Sequence, residues 1–113
     1  GSATYVEGAI SSSGATIHKV HSFTDGDATP NVSAGTIFKT ANTGATTITG
    51  FDGGSPGQIV HIYINDNVTD FTDGTNFQMI RGLDWTSGQV NDILSMLCID
   101  GTKWVTINRT DNS

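Results

Sequence analysis

The chain reads as an all-β domain, and three observations predict it. Isoleucine far outnumbers leucine, threonine is the commonest residue, and Glu7 is the single glutamate, so strand and turn formers dominate over helix formers. Turn chemistry built on Gly, Asn, Asp and Pro recurs about every eight to twelve residues, separating short apolar-alternating runs. The run from Asp92 to Asn108, DILSMLCIDGTKWVTIN, places Asp100-Gly101 between two β-favouring segments, a strong hairpin signal. The expected architecture is a compact β-sandwich or jelly-roll-like domain of short antiparallel strands. An intertwined triple β-prism or β-helix is the alternative, although no side-chain repeat holds register.

The closing hairpin carries most of the functional reading. A two-residue loop at Asp100-Gly101 or a four-residue loop from Asp100 to Lys103 gives the same facing parity. One face then carries Leu94, Met96, Cys98, Val105 and Ile107, a core face. The other carries Ile93, Leu97, Ile99 and Trp104 beside Ser95 and Thr106, too apolar for water on a small domain. That face needs a second layer or another chain, and Ile93, Leu97, Ile99 and Trp104 are its expected interface residues.

Taken in order, Gly1-Ser2 reads as a cloning remnant, and residues 3–34 as an N-terminal strand and linker segment ahead of a β-domain over 35–113. Ala3 to Ile10 is a candidate strand, Ser11-Ser12-Ser13-Gly14 a turn, and Ala15 to Phe23 an alternating run. Asp25-Gly26-Asp27 with Pro30 is loop chemistry, either a linker or a loop packed along the domain. Thr36 to Thr40 and Thr46 to Phe51 are short strands, and Asp52 to Gly57 is the clearest loop. Gln58 to Asn65 alternates, and its aliphatic Val60, Ile62 and Ile64 mark a central core strand. Val68 to Phe71, Asn76 to Ile80 and Leu83 to Thr86 complete the set, with Ser87-Gly88 a turn before the hairpin.

Composition narrows the function. The 113 residues make one domain, able to bury roughly two thirds of its extended surface. Charged residues are only 14% and the net charge is −6, without the clustered basic footprint that nucleic acid or an anionic membrane requires. No apolar run approaches the roughly 18 residues of a membrane-spanning helix. Cys98, the one cysteine, falls in the alternating core run and reads as a buried small hydrophobe. A disulfide-free domain that works outside the cell would have folded in a reducing cytoplasm first.

The stretch IFKTANTGATTITGFDGGSPGQIVHIYIND, with TNFQMIRG and the ending DILSMLCIDGTKWVTINR, resembles C-terminal domains of bacteriophage tailspikes and tail fibres. Phe38, Thr40, Asn42, Thr47, Ile48, Thr49, Phe51, Gly57 and Gln58 fit one family segment, and Asp100, Gly101, Trp104 and Arg109 fit its ending. The resemblance implies a homotrimeric virion protein, made in the bacterial cytoplasm and acting at the host surface. Any enzymatic β-helix of the family would lie outside this chain, so no catalytic residue is carried over.

Candidate chemistry is sparse. His18, His21 and His61 show no metal-ligand spacing, and the ten aspartates, most beside Gly or Asn, are explained by side-chain capping of turns. No metal and no cofactor is therefore expected. Asn31, Asn67 and Asn108 open glycosylation sequons of the kind an Asn- and Thr-rich chain produces by chance. Aromatic rings stack on sugar faces, and a neighbouring carboxylate accepts hydroxyl hydrogen bonds. Asp84-Trp85 is thus the best glycan contact, with Tyr63, Asp73 and Asn76 as further candidates; the competing reading makes Trp85 a core plug. The expected function is non-catalytic binding of a bacterial surface polysaccharide or lipopolysaccharide by a tail protein. A structural trimer clamp is the alternative, and a glycan-degrading enzyme at a subunit interface the third. The resemblance further implies that an intramolecular chaperone could have followed Ser113 and been removed at a Ser–Asp junction, the alternative being a plain terminus or boundary.

Overall fold

A computed structural model describes residues 9–12, 15–86 and 88–112. The first strands are β1 (Ala9–Ser12), β2 (Ala15–His18), β3 (Val20–Ser22), β4 (Ile37–Lys39) and β5 (Thr46–Ile48). There follow β6 (Ile59–Tyr63), β7 (Thr69–Phe71), β8 (Phe77–Gln78), β9 (Ile93–Cys98) and β10 (Trp104–Thr110). A single 3₁₀ turn at Ile80–Gly82 is the only helical element among the described residues. The all-β expectation is met. Residues 3–8, Ser13-Gly14, Ser87 and Ser113, on which strand, turn and terminus readings fell, lie outside the described residues.

Six strands form the main sheet in the order β3-β4-β6-β9-β10-β8, while β5 pairs with β7 and β1 with β2. The expectation of antiparallel strands needs correction, because the sheet is mixed. The pairs β3–β4, β4–β6, β5–β7 and β8–β10 are parallel, and only β6–β9, β9–β10 and β1–β2 are antiparallel. A parallel pair needs a crossover of about a dozen residues or more. The segments 23–36, 40–58, 49–68 and 79–103 supply these without an α-helix, each carrying a strand of another ladder or packing over the core. The loop after β3 is no linker, since it buries Phe23 and Val32.

The core lies between one face of the sheet and the segments crossing it. Val60, Ile62 and Ile64 are fully buried, as the aliphatic alternation predicts. Phe51, from the loop after β5, meets Phe77 at 4.9 Å and Trp104 at 5.2 Å, both edge to face. Phe23 stacks on Phe38 at 5.2 Å. Such offset and edge-on pairs contribute roughly 0.5–1.5 kcal/mol each beyond their buried area. Cys98 is buried, as its alternation implies.

The loop of the closing hairpin is odd, and this overturns the expected faces. Trp104 is opposite Cys98 and Val105 opposite Leu97, so residues 99–103 form the connection, closed by Ile99 N donating to Lys103 O at 2.9 Å. The Asp100 carboxylate accepts from Thr102 N at 2.9 Å and Lys103 N at 2.7 Å, and Gly101 takes φ +101°. That extra residue turns Trp104 inward, where it is fully buried. A bulge between Thr106 and Asn108 shifts the register again and leaves Ile107 53% exposed instead of in the core.

The turn aspartates behave as side-chain caps. Asp27 and Asp66 each accept from the backbone N–H two residues on, at 2.9 and 3.0 Å. Burial pushes the Asp66 carboxyl up, but hydrogen bonds from Thr69, Thr40, Val68 and Asn42 together outweigh it and hold the group below the usual carboxylate value. Asp25 is lowered by the Thr43 backbone N–H and hydroxyl, and Asp100 by the Lys103 and Thr102 backbone N–H groups.

Candidate functional site

Alternation on the central strands sends every second side chain away from the core, onto the outer face of the six-stranded sheet. β4 contributes Ile37 and Lys39, β6 contributes Ile59, His61 and Tyr63, and β9 contributes Ile93, Ser95 and Leu97. Cross-strand register brings them together: Ile37 with His61, Lys39 with Tyr63, Tyr63 with Ile93, His61 with Ser95 and Ile59 with Leu97. Val20 on β3 and Val105 on β10 extend the row to both sides. Val20 is 51% exposed, Ile59 43% and Ile99 50%, while Ile37, Ile93, Leu97 and Val105 are half-buried. A row of aliphatic side chains across five strands is thus left open to solvent.

An open depression of about 630 Å³ lies on this face, lined by Val20, Ile37, Lys39, His61, Tyr63 and Ile93. His61 Nδ1 is 2.6 Å from Ser95 Oγ, and the Tyr63 hydroxyl donates to Asn91 Oδ1 at 2.5 Å. A serine next to an imidazole invites a nucleophilic reading, which also requires free N–H donors for an oxyanion. Ser95 sits on β9 between β6 and β10, so the backbone around it belongs to the ladders on both sides. Among the described residues, no three His, Cys, Asp or Glu side chains are grouped to hold a metal ion. No helix among them is long and apolar enough to cross a membrane.

Of the expected interface residues, Ile93, Leu97 and Ile99 lie on the open face, and Trp104 does not. Its burial within the chain's own core removes it from any contact with a partner, for the loop-parity reason given above. Val20, Ile37, Lys39, Ile59, His61 and Val105 belong to the same face and were not among the expected residues. The outward alternation of Ile59, His61 and Tyr63 was a visible signal. Which strands would lie beside β6 was not.

The expected glycan residues divide between two places. Asp73 and Asp84 meet at one end, where Asp73 N donates to the Asp84 carboxylate at 2.8 Å and Met79 N to the Asp73 carboxylate at 2.9 Å. Asn76 is in the adjoining turn, and its carbonyl accepts from Trp104 N at 2.8 Å. Trp85 is only 7% exposed, stacked on Phe71 at 5.6 Å and 16°, with the Arg109 guanidinium 5.0 Å over its ring. Two backbone hydrogen bonds of 2.8 Å between Phe71 and Trp85 lock it there. So little exposed ring offers a poor platform to a sugar, and the competing reading of Trp85 as a core plug fits its surroundings. Tyr63 lies apart from this cluster, on the open face.

The residues that carry the tail-protein resemblance hold the loops. Thr40 Oγ1 accepts from Asn65 N at 2.8 Å, and Asn42 Nδ2 donates to Thr69 Oγ1 at 2.8 Å. Gln58 ties Ser55 N to Val32 O, and Gly57 takes φ +85°. No protein-family model, curated protein or solved structure matches this chain.

Proposed function

We propose that the chain is a non-catalytic assembly domain of a bacteriophage tailspike or tail fibre, acting in the virion as a homotrimer. Its three copies meet through the outer faces of their six-stranded sheets. The observation that carries this reading is the contiguous aliphatic row on the outer face of the sheet, where exposed Val20, Ile59 and Ile99 sit beside half-buried Ile37, Leu97 and Val105. Contiguous exposed apolar surface on a small acidic chain marks a contact surface. The motif residues support the same role: Thr40, Asn42, Gln58 and Asp100 hold loops, and Phe38, Ile48, Phe51 and Trp104 fill the core. Glycan recognition is carried by less. Of its five residues, Tyr63 lines the outer-face depression, apart from the other four, and Trp85 is closed off.

Sedimentation of the purified chain should give about three times 11.9 kDa at micromolar concentration. The double substitution Ile59→Asp/Ile99→Asp should give a folded monomer, since exposed positions change stability by only about 0.5 kcal/mol or less. A wild-type chain that stays monomeric would remove the reading.

A further inference from the structure

We infer that the β1–β2 hairpin is an exchange arm that lies in the outer-face depression of a neighbouring copy. This rests on the assembly reading above and names the element that completes the contact. Among the named strands, β1 and β2 pair only with each other, and of the described side chains of β2 only His18, at its end, is partly buried. Ala15, Thr16 and Ile17 are all exposed, Ile17 by 60%. A lone two-stranded hairpin is at best marginally stable in water, so this one needs a surface to lie on. The molecule is correspondingly drawn out, 50 × 28 × 23 Å with a radius of gyration of 14.6 Å. A compact chain of this length would have about 13 Å.

The chain's own depression is a poor fit for its own arm. Only Lys19 separates β2 from β3, and reversing direction takes the four residues of a β-turn. A neighbour's depression has no such restriction. It runs from Val20 on β3 to Ile93 on β9, four adjacent strands and so roughly 14 Å across. Four-residue strands measure roughly 13 Å, a matching length. Area points the same way. Five strands by five residues cover roughly 320 Å² in plan. Even doubled for roughness, that falls short of the roughly 800 Å² per partner of a stable interface. An added arm supplies the remainder. From Ala9 to His18 the arm holds no carboxylate or ammonium, His18 being its one titratable group, so it brings neither into the apolar floor formed by Val20, Ile37 and Ile93.

The test uses two full-length chains of different tag length, one Ile17→Cys and one Ile37→Cys, assembled together and oxidised. Cys98 is buried and stays in place. Cross-linked pairs of unlike chains are expected, together with at least tenfold weaker self-association of Ile17→Asp at unchanged circular dichroism. A trimer that forms no Ile17→Cys to Ile37→Cys cross-link, or that ignores Ile17→Asp, would overturn arm exchange while leaving the assembly reading in place. A cross-link found only within doubly substituted single chains would overturn it too. A wild-type monomer at every concentration would defeat the assembly reading itself.

Discussion

Gly54→Ala isolates the inward placement of Trp104. A Cβ built on Gly54 would lie 2.6 Å from Trp104 Cζ2 and 3.1 Å from the Gly101 carbonyl oxygen. Reaching ordinary contact demands a shift of about 0.8 Å. The indole has little room for it, being fully buried and braced edge-on against Phe51 at 5.2 Å. Overpacking of this kind costs about 1–3 kcal/mol. Gly54 has no positive φ, so the backbone itself would accept alanine. Without the clash, alanine would stabilise by about 0.4–1 kcal/mol through the unfolded chain. The sign of the effect therefore reports the contact. For a domain of this size the expected loss is about 4–12 °C in Tm. The assay is thermal unfolding of Gly54→Ala in the wild-type and Trp104→Phe backgrounds. Phenylalanine lacks Cζ2, and it also removes the Trp104 Nε1 donor, which is buried without a partner among the described residues. In that background the cost of Gly54→Ala should fall below about 0.5 kcal/mol, a non-additivity expected of touching residues. An equal cost in both backgrounds, or a stabilised single variant, would refute the inward Trp104.

Two further predictions concern the loops and the far end of the sheet. Asp66 titrates below its ordinary value in the folded state, so its stabilisation is fully present above the unfolded value of about 3.9 and is lost as pH falls through the folded one. Asp66→Asn should lower Tm at pH 7, with the gap to wild type narrowing below about pH 4; a gap constant with pH would mean that the carboxylate is not the stabilising species. Trp85→Ala should cost about 3–5 kcal/mol in urea unfolding, as for other buried aromatic residues, whereas a loss under about 1 kcal/mol would return Trp85 to the surface.

Much of the local structure was legible in the chain. Period-two alternation marked Val60, Ile62 and Ile64 as core, because a strand between two ladders buries one face whatever its neighbours are. Gly57 and Gly101 announced turns, since a positive φ there suits glycine best. The capping aspartates followed from side chains that reach backbone N–H groups two residues on. The open aliphatic face was visible through Ile93, Leu97 and Ile99.

Other features waited for the tertiary structure. The parity of the Asp100 loop depends on one residue, and period two converts that single residue into a change of face for Trp104, Val105 and Ile107. Parallel pairing was hidden because it is a property of long crossovers, whose paths are set by packing over the core and not by local pattern. Trp85 looked like a binding residue in its Gly-bounded segment. Its burial comes from Phe71, fourteen residues earlier, and Arg109, carried to its ring by the β10 bulge. Sequence determines what each strand can offer on its two faces. Which offers meet is a long-range choice, and in this chain it decides both what is buried and what is left open to solvent.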